Sequence, residues 1–148
     1  MFNLFKNTPK TYKSLSEYPE SWSILQENNQ GFIVRLNAGY KEAIDNPEYP
    51  IKMGIAILIE GEHDESIATL KHSVEDAISE LLNKDEGALV AVITGMKEPK
   101  FIEFLSYTKN NLDFATIHKT LKDKFPKIEV QMHASGDPEW VDYQSFLK

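Results

Sequence analysis

Arg35, Asn37, Lys52, Glu103, Gln131 and His133 fall at alternate positions of strand-like runs, so regular pleating would line them up on one side of a sheet. Together they offer donors, acceptors and one imidazole that titrates near neutral pH. On a rigid platform such a set could bind a small anion or a peptide. Solvation alone also explains it, because an antiparallel sheet normally buries one face and wets the other. His133 stands four residues before Asp137, and a carboxylate beside an imidazole fixes its tautomer and raises its basicity, as a general base requires. No serine or lysine nucleophile accompanies the pair at a recognisable spacing. Asp137 precedes Pro138, which suits a turn or cap residue at least as well. We assign no catalytic residue.

The run Glu62-His63-Asp64-Glu65 matches neither the twelve-residue calcium loop nor the His-Glu-x-x-His pattern of zinc proteases. It reads as the acidic start of a helix, and no metal or cofactor is expected. His72 and His118 each stand alone on a helix. Lys119, Lys122, Lys124 and Lys127 are the one basic concentration, with no stacking aromatic between them, and they suit the negative end of a helix. Trp140, Tyr143, Phe146 and Leu147 form an apolar stripe on a short terminal helix that must dock, either on the chain's own sheet or on a second copy or partner.

These residues need elements to hold them. Trp22–Gln26 and Phe32–Asn37 flank an Asn- and Gly-containing turn and predict a hairpin, with Phe32, Val34 and Leu36 turned inward and Ile33, Arg35 and Asn37 outward. Ile51–Ile59 alternates as a third strand. A helix follows Asp64 or Ser66 as cap, with Ile67, Leu70, Val74, Ile78, Leu81 and Leu82 on one stripe and Gly87 as its left-handed stop. Ala88–Thr94 and Lys100–Thr108 are strands. A second helix, capped by Asn110 or Asn111, carries Phe114, Ile117, Leu121 and Phe125 to a stop at Pro126. Ile128–Ala134 is the last strand before the terminal helix. From the third strand onward the order is βαββαβ, so the expected fold is α+β and ferredoxin-like. Both helices lie on one face, and an N-terminal hairpin extends the sheet at an edge. Residues 1–20 read as a loose lead-in and 21–148 as one domain.

The closing run Asp137-Pro138-Glu139-Trp140 with Tyr143, Phe146 and Leu147 resembles the "DPEW…Y..FL" signature of the bacterial domain of unknown function 695. Trp22, Arg35-Leu36-Asn37 and Tyr49-Pro50 fit the same pattern, and the resemblance runs from about residue 15 onward. Members of that family are sometimes joined to a domain similar to the ribonuclease E inhibitor called regulator B, itself small, acidic and ferredoxin-like. No such second domain is expected within these 148 residues, and the resemblance implies no catalytic residues.

The net charge of −7 disfavours nucleic acid and suits a partner with a basic face. The absence of cysteine excludes disulfides and thiolate chemistry and fits a reducing cytoplasm. No apolar run is long enough for a signal sequence or a membrane span, so a cytoplasmic protein without membrane contact is expected. The functional expectation is a non-catalytic protein-binding or regulatory module whose partner is another protein or a second copy. A small enzyme or ligand binder with a polar site on the open sheet face is the alternative, and an immunity-type inhibitor of a basic toxin a third.

Overall fold

A computed structural model describes residues 10–27, 31–83 and 85–147. The strands are β1 (Trp22–Glu27), β2 (Phe32–Asn37), β3 (Ile51–Leu58), β4 (Gly87–Gly95), β5 (Phe101–Thr108) and β6 (Val130–Gly136). The helices are α1 (Glu65–Leu82), α2 (Phe114–Lys124) and α3 (Val141–Phe146), with 3₁₀ turns at Leu15–Glu17 and Ala38–Ala43. The fold is α+β. Its six strands form one antiparallel sheet in the order β1-β2-β4-β5-β3-β6, with the N-terminal hairpin beside β4.

The β-branched alternation of β3 places Met53, Ile55 and Ile57 on the face that α1 and α2 cover. There they meet Ile102, Phe104 and Val130 from the sheet, Val74, Ile78 and Leu82 from α1, and Ile117 and Leu121 from α2. Asp64 caps α1, accepting from the Ser66 and Ile67 amides at 3.0 and 3.2 Å. The left-handed residue that ends α1 is Asn83 (φ 43°), not Gly87, which already belongs to β4. Asparagine tolerates that region because its short side chain can bond locally. The cap of α2 is Asp113, not Asn110 or Asn111; its carboxylate accepts from the Thr116 amide at 3.0 Å and the Thr116 hydroxyl at 2.7 Å. His118 reaches from α2 to the Val130 carbonyl at 2.8 Å and ties that helix to β6.

The opposite face is not simply wet. Val34, Leu36, Val90, Ala91, Leu105 and Tyr107 form a second core there, closed by Leu15 and Tyr18 from the lead-in, Ala43 and Tyr49 from the β2–β3 connection, and Trp140 and Tyr143 from the tail. The lead-in is therefore packed at Leu15 and Tyr18, while residues 1–9 lie outside the described ones. This second core overturns the predicted phase of β2. Val34 and Leu36 face away from the helices, and Arg35 pairs across the ladder with Val92 on the α1 side. Alternation reveals that a strand has two kinds of side, but with a core on each face it cannot say which side meets the helices. A bulge between Leu89 and Ala91 adds a further break in phase.

Candidate functional site

The tail fixes how much of the second face stays open. Asp137, buried, accepts from the Tyr107 hydroxyl at 2.7 Å and from the amides of Val141 at 2.8 Å and Asp142 at 3.3 Å. The Tyr107 oxygen in turn accepts the Tyr143 amide at 3.2 Å. Asp137 thus supplies the anion that the first turn of α3 needs, and Trp140, left-handed at φ 56°, is held by that same network. The Trp140 indole donates to the Tyr49 carbonyl at 2.9 Å and stacks on Tyr107, centroids 4.3 Å apart and planes at 10°. Tyr143 meets Trp140 edge-on and donates to the Asn37 carbonyl at 2.7 Å. Burial, with the Asp137 carboxylate beside it, pushes the Tyr107 hydroxyl far above the usual tyrosine range, and burial does the same for Tyr143. The stripe docks within the chain: Trp140 and Tyr143 are fully buried and Phe146 and Leu147 half-buried. Asp137 does not pair with His133, because its oxygens are committed to this tail.

Beyond the tail, the second face is open over rows that the ladder defines. Half-buried Ile93, Glu103 and Ala56 and exposed Gln131 lie in register beside the buried Val34 of the second core, and half-buried Phe32, Phe101 and Leu58 lie in register with the buried Gly95. Two glycines in this area leave room for rings from neighbouring strands. Gly54 leaves room for the His133 ring to lie across β3, where any Cβ would collide with its Nε2, and the ring reaches Glu103 of β5 at 3.3 Å. Gly95 admits the Phe101 ring in the same way, and Phe101 packs against Phe32 with centroids 6.0 Å apart. A glycine inside a strand commonly marks such an approach. The outcome is a platform: half-buried Leu25, Phe32, Ile93 and Phe101 beside Glu103, exposed Gln131 and a His133 side chain that is 54% exposed. Lys52 borders it, but its ammonium is bound to Asp142 of α3 at 2.6 Å; that hydrogen bond raises the lysine's pKa against the opposing effect of burial.

Four of the six nominated residues, Lys52, Glu103, Gln131 and His133, share this face. Arg35 and Asn37 do not. Arg35 stands on the α1 side, its Nη2 2.6 Å from Glu75 Oε1 and its guanidinium 4.5 Å over the Trp22 ring. Asn37 is 1% exposed and caps the turn after β2, its Oδ1 accepting the amides of Ser21 at 2.9 Å and Gly39 at 3.0 Å. Asn37, Trp22 and Glu75 line a cavity of about 430 Å³ between the lead-in, the hairpin and the C-terminal half of α1. Sequence reasoning missed this cavity. Its walls come from four separated segments that no local sequence pattern links. Gly54 was visible as a glycine within a strand, which is the signal that would have pointed to the His133 contact.

A family model described as a family of unknown function, DUF695, matches residues 20–148. The chain belongs to the DUF695 family. In this DUF695 chain the matched residues take in all six strands and the three helices, so the platform and the tail network both fall inside the family region. No curated protein matches the chain. Among the described residues no group of three or more His, Asp or Glu side chains is placed to hold a metal ion, and no helix is long and apolar enough to cross a membrane.

Proposed function

We propose that this DUF695 chain is a non-catalytic protein-binding module whose contact surface is the open half of the second sheet face. One observation carries the reading: the His133 and Phe101 rings pack against Gly54 and Gly95, beside half-buried apolar side chains edged by Glu103 and Gln131. Mixed apolar and polar character suits a protein surface better than a small molecule, which needs concavity. The net charge of −7 favours a partner with basic groups around an apolar centre. The order β4-β5-β3-β6, with α1 and α2 as the crossovers, supports a ferredoxin-like core to which the β1–β2 hairpin is added at β4. That core gives the platform a rigid base.

The test is affinity capture from the native cell with the intact chain and two variants. Ile93→Lys changes the platform; Lys122→Glu changes the exposed side of α2. A partner captured by the intact chain and by Lys122→Glu, but lost with Ile93→Lys, supports the platform. Equal capture by both variants overturns it.

A further inference from the structure

We infer that β1 is a docking edge for a second copy of this chain, joining two sheets into one across a two-fold axis. Among the described residues the outer side of β1 pairs with no strand. The ladder fixes which backbone groups point outward there. The Ala38 amide donates to the Ser21 carbonyl at 2.9 Å, so Ser21 and Ala38 continue the β1–β2 register as a hydrogen-bonded pair. The Met96 amide, donating to the Gly31 carbonyl at 2.8 Å, gives β2 the same phase from its other side. Hydrogen-bonded and non-hydrogen-bonded pairs alternate in an antiparallel ladder, so Ser23 and Leu25 also turn their backbone groups toward β2. Trp22, Ile24 and Gln26 therefore direct their N–H and C=O groups to the open edge. Exposed edges are commonly blunted by lysine, proline or a bulge. β1 keeps an unbroken register and contains neither lysine nor proline, and Ile24 in its middle is 70% exposed.

The opposite edge of the sheet is built differently. The Leu58 amide donates to the Glu129 carbonyl at 3.3 Å, which turns the next residue of β6, Val130, outward. The Val130 carbonyl is already held by His118 of α2 at 2.8 Å, so a helix side chain blunts that edge. Charge and symmetry select a second copy as the occupant of β1. Residues 21–26 carry no charge in a chain of net charge −7, so two copies can meet there without bringing like charges together. An antiparallel pairing centred on Ile24 sets Ile24 against Ile24 and Trp22 against Gln26, all with outward backbone groups, while Glu27 falls opposite the uncharged Ser21. Such a contact is isologous and closes at two copies, whereas β1 against β6 would be heterologous and go on adding chains. It uses the edge alone and leaves the platform of both copies open.

The chain has no cysteine, so one placed on β1 can form a disulfide only with another copy. Facing residues of a hydrogen-bonded pair have Cα atoms about 5.5 Å apart, within disulfide reach. The two Ser23 positions would be diagonal neighbours about 7–8 Å apart, beyond that reach. Under mild oxidation at millimolar protein, Ile24→Cys should give a disulfide-linked dimer and Ser23→Cys at least tenfold less of it. Analytical ultracentrifugation of the full chain from micromolar to millimolar should show a monomer–dimer equilibrium, weak because an edge contact is small. Ile24→Lys should shift that equilibrium at least tenfold toward monomer. Val141→Lys makes the same charge change at another exposed apolar position and should leave it unaltered. A monomer throughout, equal cross-linking from Ile24→Cys and Ser23→Cys, or an equilibrium that Ile24→Lys does not move would overturn the inference.

Discussion

Replacing Asp137 with alanine removes the acceptor on which the tail is assembled. Three hydrogen bonds end on this carboxylate, at 2.7, 2.8 and 3.3 Å, and the first leaves the fully buried Tyr107 hydroxyl without its acceptor. Hydrogen bonds to a charged group contribute about 1.5–3 kcal/mol each and a stranded buried donor costs about 1–3 kcal/mol. These effects overlap, and the two amides at the start of α3 can regain water once the helix frays. We therefore expect a net loss of about 3–5 kcal/mol. For a chain of this size that lowers Tm by roughly 6–20 °C. Urea unfolding followed by tryptophan emission reads it directly, since Trp140 is stacked on Tyr107 in the same network. A double-mutant cycle with Tyr107→Phe isolates the Tyr107–Asp137 contact, with an expected coupling of about 1.5–3 kcal/mol for a charge-assisted pair. A loss below about 1 kcal/mol for Asp137→Ala, or strictly additive effects in the cycle, would refute the view that Asp137 organises the tail.

Tyr107 and Tyr143 stay protonated in the folded chain well above the pH at which an unfolded tyrosine ionises. Above about pH 10 the unfolded state therefore loses protons that the folded state keeps, and stability should fall by about 1.4 kcal/mol per pH unit for each tyrosine. Denaturation curves between pH 9 and 12 check this, and Tyr143→Phe should lower the slope by about 1.4 kcal/mol per pH unit. Gly54→Ala drives the His133 ring off β3, yet the ring is free to swing into water, and alanine recovers about 0.5–1 kcal/mol of the strand glycine's entropic cost. Stability should change by less than about 1 kcal/mol, while the nuclear Overhauser contacts between His133 and Glu103 vanish; retained contacts would contradict the geometry. Glu75→Ala leaves the Arg35 guanidinium half-buried without its partner and should cost about 1–3 kcal/mol in urea, whereas Lys119→Ala, from a pair exposed on both sides, should leave the urea midpoint unchanged.

Much of the fold was legible because β3, α1 and α2 each have a single apolar side. Ile51 to Ile59 favoured a strand over a helix by its β-branched alternation, and the Val74–Ile78–Leu82 stripe called for a core to face. The six-stranded antiparallel sheet follows from those patterns. What escaped was the second core. The sequence of β2 alternates equally well whichever way it is turned, and Arg35 reads as a solvent residue until Glu75 and Trp22 are seen beside it. The helix ends were misplaced for a local reason: Asn83 took the left-handed position offered to Gly87, and Asp113 outcompeted the two asparagines before it because its carboxylate binds both the amide and the hydroxyl of Thr116. The tail stripe was clear from its spacing, and its docking site was not, since Tyr107, Tyr49 and Asn37 are remote in sequence.

The role of the open platform is tested most directly by photo-crosslinking in the native cell, with a benzophenone side chain at position 93 on the platform or at position 122 on the far side of α2. Our account predicts a discrete cross-linked species from position 93 and none from position 122. Cross-linking confined to position 122, or none at position 93, would contradict it.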